Sequence, residues 1–437
     1  MRKIVSGFIT TALIICIFAI SYAEQADKWG NINYTINNSV LTLSGNGEMK
    51  EGYDNGQVYP WTDSSSRIKT LIIEEGITSI AANAFHYFSS LENVSLPSSL
   101  RSIGVWAFCS CYNLHHVEFP EGLLNIDKWA FYAAGNMDVL EIPSTVEKVA
   151  VSAFDGVEVK KIIVRNGNKK YVSENNAFMT ADRKELIKIG TELKGEYIIP
   201  EKVEIIDGDC FTGSEIEILT VPKTVKEIFN YAFAHGGFKR INLECSKAKI
   251  GQGAFSGCKE LKEVYIIEGI KELSEYMFQD CTSLNTVILP ASLNKISGHA
   301  FEHCPALKSI SLPKGLKSFD DTSFDHTITL ICAEKSTAVK LAQKCEYKYE
   351  ISTNNTLTKE TASVNENDGT TYTRKKGIIR SGSSVNVRSE PSKDASKVSS
   401  VKGDAVVEVL SESNGWYEIQ LSDGITGWIS GKLITIQ

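Results

Sequence analysis

"AFEHCPALKSISLPKGL", residues 300–316, sets a carboxylate, a histidine and a cysteine side by side at Glu302, His303 and Cys304, with His299 just ahead of them. Taken alone, these are the side chains of a metal or nucleophile site. Aligned with the rest of the chain, they are one beat of a repeat. The phenylalanine of the "AF" pair recurs at Phe85, Phe108, Phe131 and Phe154, then at Phe211, Phe233, Phe255, Phe278, Phe301 and Phe324. Successive gaps are 23, 23, 23, 57, 22, 22, 23, 23 and 23 residues. The residue before it is Ala in seven of the ten coils, with Cys210, Met277 and Ser323 as the exceptions, as a tight packing position requires.

Other positions keep the same beat. An apolar triplet follows each Phe, as in Leu91, Val94 and Leu96 or Leu284, Val287 and Leu289. Its last two members are two residues apart, the period of a strand. A proline often follows, as at Pro97, Pro143, Pro222, Pro290 and Pro313, and ends that strand because it cannot donate to the next ladder bond. A second apolar pair, such as Leu100 and Ile103, completes the coil. One such coil cannot enclose a core; ten in register share one.

The alignment answers the question of the opening stretch. Cys111, Cys258, Cys281 and Cys304 all lie three residues after the repeat Phe, and the same slot elsewhere holds Phe88, Ala134, Val157, Ser214, Gly236 and Thr327. That slot takes cysteine as a small buried side chain. His303 aligns with Asp280 and Gly257, and His299 with Tyr276 and Gly253. A ligand set is not expected at positions that change identity from coil to coil, so the stretch reads as building material. We expect no metal site, no catalytic residue and no cofactor.

Composition agrees with a folded protein: 437 residues, 42% hydrophobic and 23% charged, with net charge −7. An acidic balance argues against nucleic acid as the main partner. The first residues, "MRKIVSGFITTALIICIFAISYA", read as a secretory signal peptide over 1–23, with small residues Ser21 and Ala23 before the cleavage point. No later apolar run is long enough to span a bilayer, so no membrane span is expected after signal cleavage. Nine cysteines remain beyond Cys16, an odd number that cannot all pair within one chain.

The pattern over 70–352 resembles the BspA-type leucine-rich repeat family. The resemblance is carried by "ITSIAANAFHYFSSLENVSLPSSLRSIG", "ELSEYMFQDCTSLNTVILPASLNKISGHAF" and the opening stretch. It implies a mixed α/β repeat solenoid, mostly strand and loop, in an exported surface protein of the kind used in attachment. There are departures. The 57-residue gap carries 34 extra residues, which read as a hairpin insertion near 166–198, and the coils at 241–246 and 265–268 lack the proline. A β-rich cap is expected at 24–69, with Trp29 and Trp61 over the first coil. A C-terminal cap is expected over 327–352, with Ser336 as the N-cap of a short helix flanked by Cys332 and Cys345, which are candidates to pair.

Residues 353–373 are rich in Thr, Asn and Glu and read as a flexible linker. Beyond them, over 374–437, the runs VNVR, AVVEVL, WYEIQL, TGWIS and LITI alternate with turn residues and predict a small all-β SH3-like barrel. This segment resembles the bacterial SH3 domain family, through Asn386, Val387, Arg388 and Pro391, then Gly403, Gly415-Trp416-Tyr417, Gly424 and Gly427-Trp428. The resemblance implies binding of cell-wall peptidoglycan, and Arg388, Trp416, Tyr417 and Trp428 are the candidate groove residues. Aromatic faces suit sugars and peptides, and Arg suits carboxylates. The alternative places Trp416 and Trp428 in the barrel core and pairs Arg388 with a loop carboxylate.

Functionally, the sequence lacks HExxH, GxSxG, a phosphate loop and a CxxC pair, and it is not expected to be an enzyme. The expected role is a secreted, wall-associated interaction or adhesion protein whose barrel binds peptidoglycan and whose solenoid faces an unknown protein or glycan. Each repeat strand offers one outward residue; the apolar ones, Ile163, Tyr265 and Ile288, are the candidate partner contacts. The alternative is an envelope scaffold or spacer whose solenoid has no external partner.

Overall fold

A computed structural model of the protein describes residues 27–52, 58–352, 375–379, 385–402, 405–413, 415–420 and 426–436. The expected signal peptide, the linker at 353–373, and Gly403 and Gly424 lie outside the described residues. The chain divides into two units, Met1–Thr358 and Lys359–Gln437.

The first unit is a solenoid, mostly strand, with one α-helix among the described residues, Thr337–Lys344. The "AF" pair closes each coil onto the next. Phe85 N–H donates to Ala107 O at 2.9 Å, Phe108 to Ala130 O at 2.7 Å, Phe255 to Met277 O at 2.9 Å and Phe278 to Ala300 O at 2.8 Å. This bond runs along the stack, so consecutive Phe rings are held face to face. Ring centroids lie 5.2 Å apart for Phe108 and Phe131, 4.8 Å for Phe233 and Phe255, and 5.5 Å for Phe301 and Phe324. Those distances follow the spacing of hydrogen-bonded strands, about 4.8 Å. The residue before each Phe is buried against this column, which is why it stays small or slender.

In every coil but the last, the residues two before and two after the Phe are left-handed. Trp106, Trp129, Tyr231, Tyr276 and His299 have φ of 56–59° in the first position, and Tyr87, Ser110, His235, Asp280 and His303 have φ of 56–62° in the second. Each costs about 1–2 kcal/mol for a residue with a Cβ. The conformation turns alternate N–H groups towards the next coil: Tyr87 N–H reaches Cys109 O at 2.9 Å, and Tyr231 N–H reaches Gln252 O at 2.9 Å. The strain is offset by satisfied backbone groups that would otherwise be buried unpaired.

Cysteine in the third position after Phe does more than fill space. The thiols of Cys111, Cys258, Cys281 and Cys304 donate to the carbonyls of Phe85, Phe233, Phe255 and Phe278 in the preceding coil, at 3.1–3.2 Å. All four are buried, and burial pushes the Cys281 thiol well up and the Cys304 thiol up to about 12.

The insertion is a three-stranded meander rather than a simple hairpin. Tyr171–Glu174 pairs antiparallel with Ala177–Thr180, which pairs antiparallel with Glu185–Ile189. The last of these turns back into the stack, parallel to Ile205–Ile206. Strand alternation then splits the core in two: Phe178 packs with the coils before the insertion, and Ala177 and Met179 pack with those after it. The Phe column breaks at the same place. Ile189 N–H takes Cys210 O at 2.9 Å, the bond a repeat Phe makes elsewhere.

Beside Ile189, Lys188 is 2% exposed, and its ammonium donates to Asp209 O at 2.8 Å and to Phe154 O at 3.4 Å. It crosses the break in the stack. The carboxyls of Asp209, Asp155 and Asp207 act on its charge, and Asp155, Asp207 and Ser152 line, with Lys188, a cavity of about 10 Å³, room for about one water. Burial pushes Asp207 up to about 7 and Asp155 up to about 6.

Both ends are capped with aromatics. Trp61 is fully buried, stacks on Phe85 at 6.1 Å and donates its indole N–H to Ala84 O at 2.8 Å. Trp29 is half-buried and packs at 5.7 Å on Tyr59 rather than on the first coil. At the far end Tyr347 lies edge-on to Phe324 and donates to Phe324 O at 2.8 Å. Ser336 occupies the N-cap position of Thr337–Lys344, but its buried hydroxyl makes no capping bond and has no hydrogen-bond partner among the described residues. Cys332 and Cys345 are both free thiols.

Two outcomes test this account. Phe278→Ala removes a ring stacked on both sides, and is expected to lower stability by about 3–5 kcal/mol in chemical denaturation. Asp207 releases its proton near pH 4 when unfolded and near 7 when folded. The folded state therefore holds a proton the unfolded chain has lost, and stability falls as pH rises through that window. Asp207→Asn keeps the acceptor for Gly208 N–H and is expected to gain about 1–3 kcal/mol at pH 8 with no gain at pH 4, read from thermal melts at both.

Candidate interaction surfaces

The histidines of the opening stretch are consumed by neighbouring coils. His299 stacks on Tyr276, centroids 4.8 Å apart and planes 5° apart. Its Nδ1 lies 3.1 Å from Glu302 Oε2, close enough for an ion pair when protonated but off-line for a hydrogen bond. His303 Nδ1 is 3.0 Å from Asp280 Oδ1 one coil back, and the N–H groups of His303 and Cys304 donate to the Asp325 carboxylate one coil ahead. The left-handed slots thus pair across coils: ring on ring, acid on histidine, or ring on glycine. Gly253 is the last case, where a Cβ would sit 2.2 Å from the Tyr231 ring. Among the described residues no group of three or more His, Cys, Asp or Glu side chains is arranged to hold a metal ion.

The solenoid's strands present a solvent face. Lys194–Ile198, Glu215–Val221, Arg240–Leu243, Glu263–Ile266 and Thr286–Ile288 form one parallel sheet. Its register aligns Ile198, Thr220, Asn242, Tyr265 and Ile288 in a row across the five strands. Tyr265 is 41% and Ile288 46% exposed, side by side. Ile198, at 60%, joins the same row from the insertion. Sequence reading missed it because Ile198 falls in the inserted segment, where the repeat frame is lost. Ile163 lies elsewhere: among the described residues Val159–Val164 pairs only with Met137–Ile142, and Ile163 is half-buried beside Glu141. Residues 115–119 are not strand, so the face is interrupted there. Charges on this side are largely matched across coils, with Arg165 on Glu141 at 2.7 Å and Arg240 near Glu263 at 3.4 Å.

The second unit is a seven-stranded antiparallel sheet around Ile379, Val387, Val401, Ile419, Ile429 and Ile434. Arg388, Trp428 and Glu418 are direct partners on three adjacent strands. Trp416 and its partner Ser430 stand two residues along on the same face. All flank core residues in sequence, so they face away from the core. Trp416 and Trp428 are half-buried and outside the core cluster. Tyr417 falls on the opposite side and packs against that cluster. Arg388 donates to Ala395 O at 2.6 Å, a loop carbonyl rather than a carboxylate, and sits at a β-bulge that re-aims it. Gly427 is required by close passage, since a Cβ would stand 2.7 Å from Arg388 O. Glu418 was not singled out in the sequence; its signal is the W-x-E alternation that puts it beside Trp416. Two indoles, a guanidinium and a carboxylate on one face can receive an apolar or sugar ring together with groups of either charge.

Comparison with known proteins agrees with both units. The BspA type leucine rich repeat region matches residues 63–183 and 204–331, and the bacterial SH3 domain matches 383–435. "Probable endopeptidase p60" of Listeria monocytogenes and of Listeria innocua are each 46% identical over 52 residues, 12% of this chain. The chain spans only 11% of the length of these relatives. A leucine-rich repeat protein from Eubacterium ventriosum, solved by crystallography, is 24% identical, with a TM-score of 0.51 over 69% of this chain and 94% of that one. That likeness shows the fold alone.

The His303–Asp280 contact is testable. The Asp280 hydrogen bond raises His303 above the ordinary imidazole value of 6.5, so the ion pair is present below that pH and is lost as pH rises through the shifted value. Imidazole NMR should show a raised midpoint for His303 that returns towards 6.5 in Asp280→Asn.

Proposed function

This chain belongs to the BspA-type leucine-rich repeat family and carries a bacterial SH3 domain, and from that premise we propose that it is an exported, wall-associated adhesion or interaction protein without catalytic activity. Its two families fit a cell-surface interaction protein. In this reading the barrel holds the protein on peptidoglycan and the solenoid meets a protein or glycan through its sheet face.

The observation that carries the barrel's role is the line Arg388–Trp428–Glu418 across three strands, with Trp416 beside it. Wall peptides bear carboxylates and amines on a short chain linked to sugars. A guanidinium and a carboxylate flanking an indole complement all three features. For the solenoid, the supporting observation is the pairing of Tyr265 with Ile288 on an exposed parallel sheet, extended by Ile198. Exposed aromatic and branched side chains on a rigid face are suited to anchoring a partner.

A second reading has its own support. The cross-coil ion pairs of Arg165 and Arg240 leave much of the sheet-side charge self-satisfied, as a spacer or scaffold with no external partner would.

The barrel's role is tested by sedimentation with purified peptidoglycan. The full chain should co-sediment, a chain ending at residue 358 should not, and Trp428→Ala in the full chain should weaken binding by about tenfold or more. Co-sedimentation of the truncated chain alone would reverse the assignment.

A further inference from the structure

The insertion that breaks the stack also walls a groove of about 690 Å³ along the turn edge of the coils that follow it. Five of its lining side chains are lysines: Lys184 from the inserted meander, then Lys202, Lys223, Lys226 and Lys247 from three successive coils. Three carboxylates share the lining. Glu204 is occupied by Lys184 at 3.0 Å and Lys226 at 2.6 Å. Asp182 is occupied within its own turn, accepting from Thr180 Oγ1 at 2.7 Å and Lys184 N–H at 3.1 Å. Glu201 is the third. Lys202, Lys223 and Lys247 are exposed and form no ion pair among the described residues. This is a positive groove on a chain of net charge −7, and such a concavity concentrates anions.

The same edge is built differently elsewhere in the stack. Glu75 accepts the N–H groups of Ser98 and Ser99 at 2.8 and 3.1 Å, and Glu268 those of Ala291 and Ser292 at 2.7 and 3.1 Å. In those coils a hydroxyl ties the turn to its predecessor: Ser99 Oγ donates to Ile77 O and accepts from Gly76 N–H, and Ser292 Oγ does the same with Ile270 and Gly269. Thr224 stands in this slot in the groove, and its hydroxyl oxygen, shielded from solvent, has no hydrogen-bond partner among the described residues. In the groove Glu201 keeps the acid slot, the next two coils place Lys223 and Cys245 there, and the Thr224 hydroxyl is left unused among the described residues.

We propose that this groove binds a linear phosphate-bearing polymer laid along the stack, successive phosphates meeting lysines of successive coils. Coils rise by about one strand spacing, so the backbone segments that carry the three unpaired lysines follow one another at about 5 Å along the axis, and their long side chains adjust to the phosphates. Lysines act as mobile point charges and suit a flexible phosphate chain better than the planar, fixed geometry that favours arginine. No aromatic side chain lines the groove, so a nucleic acid gains no base stacking there. The inference does not rest on the barrel's reading, and its probes contain no peptidoglycan, so either can fail alone.

The test is fluorescence anisotropy with the full chain and two labelled probes, poly(glycerol phosphate) and inorganic polyphosphate, between 50 and 200 mM salt. Affinity should fall with salt with a logarithmic slope of about −2, as three neutralised phosphates require. Lys202→Gln with Lys223→Gln and Lys247→Gln should weaken binding about tenfold or more and flatten the slope. The charge-matched control, Lys314→Gln with Lys317→Gln and Lys348→Gln, should stay within about twofold, with thermal melts confirming that both variants fold. Tighter binding of either phosphate polymer supports the proposal and identifies its source. Equal losses in the two triple variants, salt-insensitive binding, or single-stranded DNA binding as tightly as the phosphate polymers would overturn it.

Discussion

Every feature of the solenoid follows from the need to satisfy the backbone of a narrow coil using the next coil. A turn around a buried phenylalanine column cannot send its N–H groups to water, so alternate groups point along the stack and are paired there. That requirement brings the rings into contact, keeps the preceding residue small or slender and puts two left-handed residues in every turn but the last. The strain in those residues is a condition of the pairing, not a defect beside it. Because each coil contacts only its neighbours, stability is built from one repeated interface.

The same constraint explains why surface positions vary so freely. A left-handed slot accepts tryptophan, tyrosine, histidine, aspartate or glycine, provided its neighbour one coil away is complementary. Trp106 stacks on Trp129, Tyr276 on His299 and Asp280 meets His303, while Tyr231 lies over Gly253. What looks like a reactive cluster in sequence is two such matches and a thiol bonded to a carbonyl. The Cys304 thiol is spent on Phe278 O, and its raised pKa follows from burial rather than from any nucleophilic role.

An interruption of the column has physical consequences beyond its own residues. The meander divides one core into two, and a lysine is buried to bridge carbonyls that ring stacking would otherwise leave apart. It also supplies Ile198 to the exposed row and the wall of the lysine groove. The most distinctive surfaces of the solenoid therefore cluster where its regularity fails.

Periodicity in the chain was enough to determine the solenoid, the phenylalanine column and the small buried cysteine slot. Those depend on nearest-neighbour stacking, which a one-dimensional repeat encodes directly. Alternating runs and turn residues likewise sufficed for the all-β second unit and for setting Arg388, Trp416 and Trp428 on its strands. Only the tertiary structure decided which side chains share a face. Tyr417 turned to the core side, Glu418 came beside Trp428 and Ile163 separated from Tyr265 and Ile288. Partners across strands are set by register, bulges and the path of an insertion, and none of these leaves a mark at a fixed spacing in sequence.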